Sequence, residues 1–106
     1  MSSEKIQVLT KADFAKAISS GTILVDFFAS WCGPCRSQLG IIDGMIEGGK
    51  LPPGAVIGKV NVDEQPELAE QFGVMTIPTL IVFKNGKQTE RFTGVQSADD
   101  LIAALQ

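Results

Sequence analysis

Two cysteines, Cys32 and Cys35, are the whole thiol inventory of this 106-residue chain, and only Gly33 and Pro34 lie between them. Thiols at that spacing can open a disulfide in another molecule by thiolate attack, then close their own bridge and release the reduced product. Cys32 stands just before a helical pattern. There, unpaired N–H groups and the helix dipole stabilise negative charge, so its thiolate is favoured and its pKa lowered. Cys35, one turn further in, is placed to resolve the mixed disulfide. Pro34 fixes its own φ, suits the first helical turn and limits how far the sulfurs can separate.

Asp26 is the next group with chemical potential. It interrupts the run Ile23-Leu24-Val25-Asp26-Phe27-Phe28, which is apolar on both faces. Burial there disfavours the charged carboxylate, raises its pKa and lets it exchange protons at working pH. Lys59 is embedded in a second β-branched, apolar run, where a solvated strand-edge lysine and a functional partner are equally good readings.

The missing residues narrow the chemistry further. The chain has no histidine and no tyrosine, which removes the commonest general base and the commonest metal ligand. Ser-His-Asp and Cys-His hydrolysis are excluded, and two cysteines are too few for a zinc site within one chain. The net charge of -3, with scattered Lys and Arg, offers no footprint for nucleic acid or an anionic membrane. Met1 to Gln7 lacks the apolar stretch of a secretory signal, and no run approaches the roughly 18 apolar residues of a membrane span. The expectation is a soluble cytoplasmic protein. In that reducing compartment a close cysteine pair is catalytic or metal-binding rather than a staple.

These groups must be held by the elements around them. Lys5 to Leu9 reads as a strand, and Thr10 with Asp13 as a capping box for a helix carrying Phe14, Ala17 and Ile18 and ending at Gly21. Ile23 to Phe28 is a central strand covered on both sides. A helix follows the cysteine turn through Glu47, although Gly40 and Gly44 weaken it. Strand Ala55 to Val62, helix Pro66 to Phe72 and strand Thr79 to Lys84 come next. Asn85-Gly86 signals a type I′ hairpin into Gln88 to Thr93, and Ser97 caps a last helix. The order β-α-β-α-β-α-β-β-α predicts a single α/β domain over 1–106. Its early strands are parallel, its final pair antiparallel, and helices cover both faces of a mixed central sheet.

Val25-Asp26-Phe27-Phe28-Ala29-Ser30-Trp31-Cys32-Gly33-Pro34-Cys35-Arg36, Lys59-Val60-Asn61-Val62-Asp63, Thr76-Ile77-Pro78-Thr79, Phe83-Lys84-Asn85-Gly86 and Gly94 together resemble the thioredoxin family over essentially the whole chain. Cys-x-x-Cys alone is shared with zinc ribbons; Trp-Cys-Gly-Pro-Cys followed by Ile-Pro-Thr in this order is far more specific. The resemblance implies the thioredoxin fold and reduction of protein disulfides through a reversible Cys32–Cys35 disulfide, with no bound cofactor and no metal. Asp26 matches a carboxyl that relays a proton through water to the inner thiol, and Lys59 a lysine that modulates it. Pro78 matches a cis-proline packed on the disulfide, leaving the Ile77 backbone free to pair with an extended substrate. Trp31, Gly33, Pro34, Val62, Ile77, Gly94 and Val95, with Thr76 beside them, match an apolar surface that docks clients and reductase.

Implied partners are a flavoprotein thioredoxin reductase and clients such as ribonucleotide reductase, peroxiredoxin and methionine sulfoxide reductase, for a monomer acting as a general cellular electron donor. Relatives that oxidise or isomerise carry a histidine between the cysteines, so Gly33-Pro34 predicts a reductant. Two departures stand out: Gly40 replaces a proline that kinks the active-site helix, and Phe28 replaces a frequent tryptophan. Met75 reads as packing, and Glu64, Glu67 and Glu70 as a solvated helix face. Two other classes stay open, a binding module with incidental redox chemistry and a metal or iron–sulfur site built by Cys32 and Cys35 of two chains.

Overall fold

In the computed structural model, which describes residues 5–106, the doubly apolar run becomes β2 (Thr22–Phe28), the middle strand of five. Strand β3 (Ala55–Asn61) lies parallel to it on one side and β1 (Ile6–Val8) parallel to β3 beyond. On the other side β4 (Thr79–Lys84) runs antiparallel to β2, and β5 (Lys87–Thr93) antiparallel to β4. The sheet order is β1-β3-β2-β4-β5. The hairpin turn places Asn85 at φ 51 and Gly86 at φ 86, the two positive values a type I′ turn requires.

The helices divide between the faces as side-chain alternation demands. Ile23, Val25 and Phe27 of β2 point to the side covered by α1 (Phe14–Ile18) and α3 (Pro66–Gln71), packing with Phe14, Leu68 and Phe83. Rings of Phe14, Phe27, Phe72 and Phe83 meet there at centroid distances of 5.1 to 6.4 Å, tilted or edge-on. Leu24 points the other way. It joins Ile57, Leu80 and Val82 under Ile42 and Met45 of α2 (Gly33–Glu47) and Leu101 and Leu105 of α4 (Ala98–Leu105). Asp26 and Lys59, two residues on from Leu24 and Ile57, therefore share the face that α2 covers.

Several boundaries differ from the sequence reading. Strand β1 is shorter than Lys5 to Leu9, and α1 becomes regular only at Phe14. Of the capping box only the return half forms, the Thr10 N–H donating to Asp13 Oδ1 at 2.7 Å, while residues 11–13 make a turn. Strand β3 ends at Asn61, although the Val62 N–H still donates to the Phe28 carbonyl at 2.9 Å and its side chain packs beside the cysteines. Helix α4 does keep its cap, Ser97 Oγ accepting from the Asp100 N–H at 3.2 Å.

Helix α2 runs unbroken through Gly40 and Gly44. A Cβ at either position would meet nothing within 4 Å, and neither glycine has a positive φ. Gly40→Ala and Gly44→Ala are therefore expected to raise unfolding free energy by about 1 kcal/mol each in urea titrations. A loss of stability at either site would show that the glycine serves a conformation other than this continuous helix.

Candidate active site

The chain leaves the carboxyl end of β2 and turns through 29–31, the Cys32 N–H donating to the Ala29 carbonyl at 3.2 Å. Cys32 is then the N-cap of α2, with extended backbone (φ -90, ψ 113), and Pro34 sits in the first turn. The Cys35 N–H donates to Cys32 Sγ at 3.1 Å, so one of the helix's otherwise orphan donors is aimed at the sulfur. In the reduced protein that N–H and the helix dipole favour the thiolate.

The sulfurs are joined as a disulfide across a Cα–Cα distance of 5.2 Å. Cys32 is 5% exposed and Cys35 fully covered, so an incoming disulfide can reach only the outer sulfur. Ala29, Cys32 and Cys35 pack with Phe28, Val62 and Ile77 in a small apolar cluster.

Asp26 is 0% exposed, and neither carboxyl oxygen has a hydrogen-bond partner among the described residues. Desolvation pushes its pKa up from the ordinary 3.8 to about 7, while the positive charge of Lys59 pulls it back. Lys59 is its register partner on β3 and is half-buried, its Nζ 5.5 Å from the Phe28 ring centroid. It is thus not a strand-edge lysine, because β1 covers the outer side of β3.

The remaining sequence candidates gather around Cys32. Trp31 is 69% exposed and its Nε1 donates to Asp63 Oδ2 at 2.8 Å, which fixes an apolar ring at the rim. The Ile77–Pro78 bond is cis, Pro78 is buried, and the Ile77 carbonyl oxygen lies 3.9 Å from Cys32 Sγ. Thr76 is exposed beside it. Gly94, at φ 84, donates its N–H to the Pro78 carbonyl at 2.8 Å, bringing Val95, 44% exposed, to the same rim. Gly33 is half-buried and Pro34 exposed on the turn itself.

Two residues depart from what their sequence neighbourhood suggests. Met75 is 95% exposed rather than packed, and stands over a groove of about 520 Å³ with Val62, Pro66, Ala69, Glu70 and Val74. Gln38 on α2 is 0% exposed and bonds the backbone of Gln96 twice. Its signal was present in the sequence, a polar residue at helical spacing among the buried positions Cys35, Ile42 and Met45.

One sulfur that can be reached and one that can only close the bridge suit a single reaction, the exchange of disulfides. The fold and this site define a thiol–disulfide oxidoreductase whose redox group is its own Cys32–Cys35 pair. A family model described as Thioredoxin matches residues 5–106, and the chain belongs to the thioredoxin family. It is 43% identical over 100 residues to a thioredoxin of Chlamydia muridarum, covering 94% of this chain and 95% of that protein. A thioredoxin of Alicyclobacillus acidocaldarius is 43% identical over 98 residues, 92% of this chain and 91% of its own.

Among solved structures, a mutant thioredoxin from Halobacterium salinarum superposes with a TM-score of 0.83 at 29% identity, over 99% of this chain and 91% of that one. A chain from a structure of thiol resolving in yeast mitochondrial 1-Cys peroxiredoxin via glutathione/thioredoxin systems gives 0.84 at 26% identity, over 99% and 97%. Membership of the family carries with it a reductase partner and disulfide-bearing clients. Among the described residues no three metal-ligating side chains gather, and no helix is long and apolar enough to cross a membrane.

Proposed function

We propose that this protein is a monomeric, cytoplasmic reductant of protein disulfides and a general electron donor, one domain over 1–106. The observation that carries the reading is the Cys35 N–H directed at Cys32 Sγ over an inner cysteine that solvent does not reach. Cys32 thiolate attacks a client disulfide, forming the mixed disulfide and expelling one client thiolate. Cys35 then gives up its proton, its thiolate attacks Cys32 Sγ, and the second client sulfur leaves. Two electrons pass to the client, which takes up two protons as a dithiol; a flavoprotein reductase restores the protein dithiol.

Asp26 accepts the Cys35 proton through water. Its place on the face of the sheet covered by α2, and a pKa near working pH, support that role. Trp31, Val62, Thr76, Ile77, Gly94 and Val95 contact the client, with Gly33, Pro34 and Pro78 shaping the surface and the Ile77 backbone receiving an extended segment. Peroxiredoxin is a natural client class, in keeping with the yeast structure above; ribonucleotide reductase and methionine sulfoxide reductase are the others.

Equilibration of the Cys32–Cys35 couple against glutathione buffers tests the direction of the reaction. A strongly reducing couple is expected, and a potential as oxidising as that of an isomerase would overturn the reading. Lys59→Met is expected to move the Asp26 midpoint above about 7, since the neighbouring cation now holds it down. Carboxyl ¹³C titration reads this directly, and a midpoint that stays put or falls removes Lys59 from the site.

A further inference from the structure

The loop carrying Gly94 and Val95 is short, lies between β5 and α4, and has to keep its place relative to a sulfur on a different element. It is held at two points. At Gly94 the backbone N–H donates to the Pro78 carbonyl at 2.8 Å, tying the loop to the segment that faces Cys32. At Gln96 the tie is a side chain. Gln38 Oε1 accepts the Gln96 N–H at 2.7 Å and Gln38 Nε2 donates to the Gln96 carbonyl at 3.1 Å, so both backbone groups of one residue are satisfied by one amide. The Gln96 side chain in turn donates to the carbonyls of Gly94, at 3.2 Å, and Thr93, at 3.4 Å, which stiffens the bend.

We propose that Gln38 is a positioning residue for client recognition: its paired hydrogen bonds to Gln96 lock the Gly94–Val95 loop onto the same helix that carries Cys35. Gln38 sits one turn after Cys35 and both are fully buried. A buried polar side chain in the apolar face of α2 costs stability unless its bonding capacity is used. Here it is used on the loop alone. An apolar residue at this position of α2 would fill the same space, but would leave the Gln96 N–H and carbonyl without their partner at a half-buried position, and the loop would move toward water to satisfy them. Val95 would then no longer sit at a fixed distance from Cys32 Sγ, and the client would have to order the loop on binding.

The inference rests on Gly94 and Val95 touching clients, so its test separates the two. Gln38→Met keeps length and helix propensity and removes both bonds. It is expected to raise KM for a protein disulfide substrate about tenfold, the scale of one good hydrogen bond, with little change in kcat. The Cys32–Cys35 potential should stay at the wild-type value, and hydrogen exchange at the Gln96 amide should accelerate while that at Gly94 stays slow. Val95→Asp serves as the control for contact. If it leaves KM unchanged, the loop does not touch clients and the inference falls with that reading. If it raises KM and Gln38→Met does not, contact stands and the lock is wrong. An equal fall in kcat, or a shifted potential, would place Gln38 in the redox step and equally overturn the proposal. Should Gln38→Met fail to fold, Gln38→Ala, which removes both bonds and leaves room for water to satisfy the Gln96 backbone, is expected to show the same KM rise and the same faster exchange at the Gln96 amide; wild-type KM there would refute the lock.

Discussion

Cys32→Ser is expected to reduce turnover of protein disulfides by at least about a thousandfold, to the background set by the chemical reductant in the assay. A serine hydroxyl at the α2 N-cap still accepts the Cys35 N–H, so the helix start and the fold should survive; what disappears is the sulfur nucleophile. Cys35→Ser should behave differently. Cys32 can still attack, but nothing closes the bridge, so mixed disulfides between Cys32 and clients should accumulate as discrete bands on non-reducing gels and vanish with dithiothreitol. The asymmetry follows from burial, with the outer sulfur 5% exposed and the inner one covered. Multiple turnover by Cys35→Ser would remove its resolving role. Support of the same cellular role by the double variant would mean that the apolar rim, rather than the sulfurs, does the work.

Much of this arrangement could be read from the chain because the determining signals are local. The run through β2 has no polar face to expose, Asn85-Gly86 admits both positive φ values, and Pro34 and Ser97 fit helix starts, so the element order follows from neighbours in sequence. Asp26 is legible for the same reason, as a carboxylate embedded in that run. Partnerships between distant residues were not legible. Trp31 with Asp63 and Gln38 with Gln96 are separated by 32 and 58 positions, and no periodicity links them. Met75 reads as packing from its side chain alone, and that fails because it follows a half-buried Val74 in an irregular segment where neither a helical nor a strand period assigns a side. The start of α1 differs from its sequence pattern because Thr10 and Asp13 satisfy a capping motif that the structure uses for a turn.

Asp26→Asn is expected to stabilise the protein at high pH and slow it as a reductant, and both effects come from the same buried carboxyl. The folded chain holds the Asp26 proton up to about 7, whereas the unfolded chain releases it near 3.8. Between those values the folded state binds more protons, so raising pH pulls the equilibrium toward the unfolded chain; below about 4 the group contributes nothing, and above 7 the full cost persists. Asparagine has the shape of the protonated acid and no charge to desolvate. Urea titrations should therefore show wild type and variant nearly equal at pH 4 and diverging as pH rises, by up to about 4 kcal/mol at pH 8 from a shift of this size. Parallel curves across that range would mean that Asp26 is not raised in the folded protein. The kinetic counterpart is the resolving step, where Cys35 must lose a proton inside a covered cluster. Without a carboxylate to take it, release of client from the mixed disulfide should slow roughly tenfold to a hundredfold and lose its rise with a midpoint near 7. A carboxyl that only filled the core would give the stability gain with no change in that rate, so stability and resolution measured on one variant distinguish a proton relay from a buried acid that the fold merely tolerates.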